Sequence, residues 1–281
     1  MNILAIGDFH GKFPMKLKKL AKSADIILSV GDYPSWRLRK TFFEHSYKRD
    51  KEVWEIVGKK EYKKKTLLDW KDAEKVLKRL DSFGIPVLTT LGNYDNSGLH
   101  DAFDVSVEDE TWNWAEQDFF SVTIKKYPRV KRIDYKVGKF RNLIFTGALG
   151  HSFPGNVKSK SYKKHRKKLD KFFGRYSEEN KEGRVIFINH TAPYDTSLDK
   201  IRDKEAPEIV KGKHYGSKLF RRIIDRYQPS LAIGGHFHEN QGKCKIGKTL
   251  VVNPGAAMDG KCAVIDFDAE KGKVKSVKFI N

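Results

Sequence analysis

The sequence predicts an α/β protein, organised as a single domain over residues 1–281. Two observations carry that prediction. Short apolar runs recur along the chain and end in Gly followed by Asp, Asn or His, and the longest stretch of helical periodicity lies between two of them. Open α/β sheets gather their functional groups at the carboxyl ends of strands, and small glycines there let the backbone turn sharply. Hydrophobic residues make up 39% of the chain, enough for a core, and charged residues 33%.

In chain order, residues 3–6 read as a buried strand ending at Gly7-Asp8, and 14–22 have helical spacing with Leu17 and Leu20 on one side. Residues 26–30 form a second buried run, ending at Gly31-Asp32. The best helix spans 66–83, with Leu67, Trp70, Val76, Leu77 and Leu80 on its apolar face and Gly84 at its end. Further strands are expected at 86–91 (before Gly92-Asn93), 185–188 (before Asn189-His190) and 231–233 (before Gly234-Gly235-His236). Residues 262–268 and 274–280 read as a hairpin closed near Lys271-Gly272.

The formal net charge is +20. An excess of that size points to a polyanionic partner, whether nucleic acid, nucleotide, acidic lipid or phosphorylated substrate, or to a Lys-rich surface kept for solubility or heat resistance. Two basic segments interrupt the strand pattern and read as insertions, at about 37–65 and 155–180. The first holds Arg37, Arg39, Lys40, Lys48, Arg49 and Lys63 to Lys65, with Trp36, Phe42, Phe43, Tyr47, Trp54 and Tyr62 interleaved. Aromatic rings beside cations can stack bases and neutralise phosphates; an amphipathic helix with its lysines in water explains the same pattern. The N-terminal apolar run is too short for a signal peptide, and no stretch has the length to span a membrane. Cys244 and Cys262 show no metal-ligand spacing and fit reduced thiols. The expectation is a cytoplasmic protein with no membrane contact.

The polar residues at the strand ends are Asp8, His10, Asp32, Asn93, His190, His236 and His238. Each alone has a plain structural explanation: a turn acid, a core histidine, a chance His-x-His. Together they offer two carboxylates, an amide and four imidazoles, a mixed N/O set suited to Mn, Fe, Zn, Co or Ni. Seven ligands exceed the needs of one ordinary ion and suit two ions sharing a bridging carboxylate. Such a pair, roughly 3.5–4 Å apart, can clamp a phosphoryl group and lower the pKa of a bound water.

The motif series Gly7-Asp8-Phe9-His10-Gly11, Gly31-Asp32-Tyr33, Gly92-Asn93-Tyr94-Asp95-Asn96, Asn189-His190 and Gly235-His236-Phe237-His238 resembles that of the calcineurin-like metallophosphoesterases. Asn253-Pro254-Gly255 is similar to the closing region of their small prokaryotic members. The resemblance implies a two-layer mixed β-sandwich flanked by helices. It also implies that Asp8, His10 and His238 hold one divalent ion, that Asn93, His190 and His236 hold the other, and that Asp32 bridges them. Manganese is favoured among Mn, Fe, Ni, Zn and Co. The implied reaction is attack of a dimetal-bound hydroxide on a phosphate ester, with Asp32, Asn93, Tyr94 and Asp95 as catalytic residues. One position departs from the family, which has His where this chain has Tyr94. With a reference pKa near 10, a tyrosine is a weak acid at neutral pH, so a less basic leaving group, and hence a phosphodiester, is slightly favoured. Asp95 is expected to orient its neighbours. His151 is left outside the ligand set. The substrate is then a phosphorylated molecule, with nucleotide or nucleic acid suggested by the charge. The competing reading is a weakly active metal-bearing scaffold that docks nucleic acid or a protein through its basic loops.

Overall fold

A computed structural model describes residues 1–46, 51–95, 117–149, 157–202, 206 and 208–281. Tyr47, Lys48 and Arg49 of the first basic segment, Asn96 of its motif, and His151 lie outside the described residues.

Strand β1 (Asn2–Ile6) leads through a 3-10 turn (Met15–Leu17) and α1 (Lys18–Ser23) to β2 (Ile26–Ser29). Then come α2 (Arg39–Thr41), a π turn (Phe42–Ser46), α3 (Val53–Val57), α4 (Lys59–Asp81) and β3 (Val87–Thr89). After α5 (Phe119–Ile124) follow β4 (Val130–Arg132), β5 (Gly138–Phe140) and β6 (Leu143–Ala148). Helices α6 (Lys160–Arg175) and α7 (Ser177–Lys181) precede β7 (Val185–Thr191), and α8 (Lys218–Tyr227) precedes β8 (Leu231–Gly235). The chain closes with β9 (Gly242–Ile246), β10 (Thr249–Asn253), β11 (Cys262–Asp268) and β12 (Lys273–Ile280).

These strands form two six-stranded sheets, ordered β12-β11-β1-β2-β3-β4 and β5-β6-β7-β8-β10-β9. Each has a parallel core with antiparallel pairing at its margin: β1 to β4, and β6, β7, β8 and β10, run parallel, β11 is antiparallel to both β1 and β12, and β5 and β9 reverse on β6 and β10. The α/β sandwich of mixed sheets flanked by helices is therefore the fold of this chain.

The period-2 alternation of strand side chains explains the layering. Ile3 and Ala5 of β1 point between the sheets, where they meet Phe145, Ile186, Ile188 and Ile233. Leu4 and Ile6 point the other way, onto Trp70, Val76, Leu77 and Leu80 of α4. Phe187 and Ala232 likewise face outward onto Leu169, Phe172 and Phe173 of α6 and Phe220, Ile223 and Ile224 of α8. Strands covered on both faces need continuous apolar runs, which is why these are visible in the sequence.

Three features differ from the sequence expectation. Helix α4 begins at Lys59 rather than residue 66. The Lys- and Glu-rich stretch before Thr66 has high helix propensity and an i,i+4 pair, Glu61 with Lys65 at 3.7 Å. Leu67, expected on the buried face, is 36% exposed. Most of the second basic segment is α6, the crossover helix that the parallel pair β6–β7 requires, with Leu169 and Phe173 in the core and its lysines outward.

Candidate metal centre

The strand ends bring the expected residues together at one mouth of the sandwich. Asp8 and His10 follow β1, Asp32 follows β2, Asn93 follows β3, His190 lies within β7, and His236 and His238 follow β8. Two groups result: Asp8, His10 and His238, and Asp32, His190 and His236. Within each, one ligand atom per residue lies within 4.8 Å of the others. The two groups touch. Asp32 Oδ2 is 3.5 Å from His190 Nε2 and 3.8 Å from His10 Nε2. Asn93 joins through its Oδ1, 2.8 Å from His190 Nε2.

Unusual backbone geometry makes this convergence. Asp8, His10, Asp32 and His236 all have positive φ (53°, 41°, 59° and 71°). Non-glycine residues there are uncommon, with Asp and His among the tolerated types, and such conformations persist only where the surroundings over-determine them. Here the loops after β1 and β2 are laced together: Asp8 N donates to Gly31 O (2.9 Å), and Phe9 N and His10 N both donate to Asp32 O (2.9 and 3.0 Å). His236 N donates to Asp8 Oδ2 at 3.1 Å. Glycine is required beside these groups. A Cβ on Gly92 would stand 2.0 Å from Asp32 Oδ1, and one on Gly235 would stand 2.6 Å from Asp8 Oδ2.

Asp95 fastens the loops after β2 and β3. Its Oδ2 accepts from Asp32 N and Gly92 N, both at 2.7 Å, and its Oδ1 accepts from Tyr33 N at 2.8 Å. Burial, then the charge of Asp32, pushes this carboxyl up to about 7. Asn253 does similar work opposite. Its Nδ2 donates to the carbonyl of Phe237, between the two histidines, and its Oδ1 accepts from Gly255 N. Sequence reasoning singles out Asn253-Pro254-Gly255 without finding that role; the Asx-turn signature of Asn two residues before Gly is the available signal.

The electrostatics suit a cation. Asp8 Oδ1 is buried and accepts no hydrogen bond among the described residues, 3.5 Å from His238 Nε2. His190 Nδ1 lies 2.8 Å from the carbonyl of Val30, so it is the donor nitrogen and Nε2 carries the lone pair. That lone pair faces Asn93 Oδ1 and, at 3.1 Å, His236 Nδ1. Burial lowers the pKa of His190, and burial with the neighbouring His190 lowers His236 further. Burial, then His238, brings His10 down to about 4. All three favour the neutral imidazole that binds metal. Burial works against the ionised form of Asp8, yet His238 and the other imidazoles hold its carboxyl well below the usual range. Asp32, buried beside the Asp8 charge, is pushed well above it. Burial favours the neutral form of His238, but Asp8 outweighs it and raises this imidazole. Converging lone pairs and a buried carboxylate oxygen that accepts no hydrogen bond among the described residues fit divalent ions, which would supply further positive charge.

Tyr94 sits on the rim. Its N donates to Asp32 Oδ1 at 2.9 Å, and its ring meets the edge of His10 at 5.6 Å. Burial, then Asp32, raises its hydroxyl above the usual tyrosine value. In the first basic segment, Arg37 is an internal clasp rather than a free cation: its guanidinium bridges Asp69 and Asp72 of α4.

Comparison with known proteins agrees with this geometry. A family model described as calcineurin-like phosphoesterase matches residues 1–240, and the chain belongs to that family. It is similar to an uncharacterized protein of Methanocaldococcus jannaschii, at 25% identity over 258 residues covering 90% of this chain and 88% of that one. A crystal structure at 20% identity superposes with a TM-score of 0.65, covering 99% and 98% of the two chains. The protein TT1561 of Thermus thermophilus, at 15% identity, gives 0.57 over 100% and 98%. These structural likenesses concern the fold. Among the described residues, no helix is long and apolar enough to cross a membrane.

Proposed function

We propose that the chain is a cytoplasmic phosphoesterase that uses two divalent ions, manganese by preference, and acts as one domain over residues 1–281. Asp8, His10 and His238 hold one ion; Asn93, His190 and His236 hold the other; Asp32 is shared. The observation that carries this reading is the position of Asp32 Oδ2, within 3.8 Å of an imidazole nitrogen from each group. A bound ion pair supplies positive charge for phosphoryl oxygens and an acidified water at neutral pH.

The chain's own contribution is placement. Asp95 fixes the backbone of Asp32, the Val30 carbonyl fixes the His190 tautomer, and Asn253 fixes the turn carrying His236 and His238. Tyr94, its hydroxyl more reluctant to ionise than usual, serves as a hydrogen-bond donor beside His10 rather than as a proton source. A leaving group that departs without a strong acid is thereby favoured, and with it phosphodiesters.

The test is hydrolysis of bis-p-nitrophenyl phosphate and p-nitrophenyl phosphate by metal-stripped protein, with and without Mn²⁺. Metal-dependent cleavage is expected, faster on the diester. Asp32→Asn should abolish it with the fold intact, a loss beyond the roughly 10–100-fold an outer partner is worth. Undiminished cleavage by Asp32→Asn would refute the assignment. A folded, metal-loaded protein inert with every divalent metal would instead favour the scaffold reading, to which the replacement of the family's histidine by Tyr94 gives support.

A further inference from the structure

The rim of the candidate metal centre continues outward as a row of aromatic rings. Tyr94 meets His10 at its inner end and Trp36 at its outer side, where the ring centroids are 4.1 Å apart. Trp36 lies 5.4 Å from Phe43, which is 43% exposed. The guanidinium carbon of Arg39 stands over both outer rings, 5.8 Å from Trp36 and 5.1 Å from Phe43.

The row is held in place from below. On one side of Trp36, Ser35 Oγ donates to Asp72 Oδ2 at 2.9 Å; on the other, Arg37 bridges Asp69 and Asp72. Both neighbours of the indole are thus pinned to α4, and the two acids are neutralised within the protein, so they oppose no incoming anion. A pre-positioned aromatic surface loses little entropy on binding. A π-helical turn carries Phe43, a distortion often found at functional sites.

Planar faces next to a guanidinium, continuous with a phosphate-directed site in a chain of net charge +20, match one ligand chemistry: a flat heteroaromatic ring joined to a phosphate. We propose that Trp36, Phe43 and Arg39 form a base-binding subsite and that the substrate is a nucleoside phosphate ester. The base stacks on Trp36 and Phe43, Arg39 faces the base or a further phosphate oxygen, and the scissile phosphate sits among the candidate metal ligands. This inference rests on the proposed phosphoesterase activity.

The experiment compares two diesters with the same leaving group, thymidine 5′-(p-nitrophenyl phosphate) and methyl p-nitrophenyl phosphate, in Mn²⁺-loaded protein. The parent should prefer the nucleoside ester. Trp36→Ala and Phe43→Ala should each lower the ratio of the two kcat/KM values by roughly five- to 150-fold, the measured range for loss of one base–aromatic stack. Trp36→Phe, which keeps a ring, should retain most of the ratio. A ratio unchanged across parent and variants overturns the subsite. If the parent cleaves neither ester, the phosphoesterase reading fails and calorimetric titration with AMP decides separately. Binding that weakens in Phe43→Ala upholds the subsite, and absent binding or equal binding by both overturns it.

Discussion

Substituting Asp95 by Asn isolates the carboxylate that ties two of the loops together. The parent side chain is wholly buried and accepts three backbone N–H groups, those of Asp32, Gly92 and Tyr33. An amide keeps one acceptor oxygen. Set at the Oδ2 position, it retains Asp32 and Gly92 and turns its NH₂ towards the N–H of Tyr33. One buried donor is then unpaired, at about 1–3 kcal/mol, and the two surviving bonds lose a charged acceptor, which roughly halves their strength. The buried charge that the amide removes is itself disfavoured by burial and by Asp32, which offsets part of this, and the expected net loss is about 1–3 kcal/mol. Urea unfolding of the metal-stripped protein measures it without any contribution from bound ions. It should be run at pH 8, above the value of about 7 to which burial and Asp32 push the parent carboxyl. The midpoint should fall with the slope unchanged. Because Asp32 N is one of the three donors, metal-dependent hydrolysis should fall roughly 10–100-fold as well. A variant that unfolds at the parent's urea concentration would show that these bonds do not hold the loops, and the account of Asp32 positioning would go with them.

Two further outcomes follow from the same geometry. Manganese at about 100 times its dissociation constant should add roughly 2.7 kcal/mol of stability per site, read as a rise in Tm that chelator reverses; equal Tm values with Mn²⁺ and with chelator would contradict binding at the two groups. Burial raises the hydroxyls of Tyr33 and Tyr135 above the ordinary tyrosine range, and burial with Asp170 pushes Tyr227 up to about 12. Folded values above the unfolded value near 10 mean that this stabilisation is complete below pH 10 and is lost as pH rises through and beyond it. Ultraviolet titration should therefore show some of the eleven tyrosines ionising only as the protein unfolds; full ionisation of the folded protein near pH 10 would refute it.

Some of this is legible in the sequence for a physical reason. A strand covered on both faces must be apolar throughout, so β1, β2, β7 and β8 stand out against a chain one-third charged. The polar residues that follow them stand out by contrast, and the structure gathers Asp8, His10, Asp32, Asn93, His190, His236 and His238 at one mouth. Marginal elements leave no such trace. Strand β9 alternates Lys243, Cys244 and Lys245 in partial exposure, and β4 and β5 bury one residue each at their starts. Helix α8 places Arg221 and Arg222 between buried apolar residues, and its stripe of Leu219, Phe220, Ile223 and Ile224 escapes the sequence reading. The basic segments mislead because lysine spacing alone does not separate a solvated helix face from a loop; only the partners of Arg37 and the burial of Leu169 and Phe173 do. The left-handed backbone at four of the candidate ligands has no sequence signature beyond the glycines beside them.

Each candidate group draws on both sheets: Asp8 and His10 from one with His238 from the other, and Asp32 from one with His190 and His236 from the other. An ion in either group is therefore a cross-link between the layers, closing a loop from residue 8 to 238 or from 32 to 236. In topological terms it acts as a disulfide would, restricting the unfolded chain over a long contour. Elsewhere the sheets meet mainly through apolar contact, with a few directional ties such as Gly147 N donating to Ile133 O at 3.1 Å and, at the far end, Asn142 Nδ2 donating to Ala269 O at 3.0 Å. Coordination would add a further directional tie at the mouth of the sandwich, fixing the register of the two layers where the candidate ligands converge.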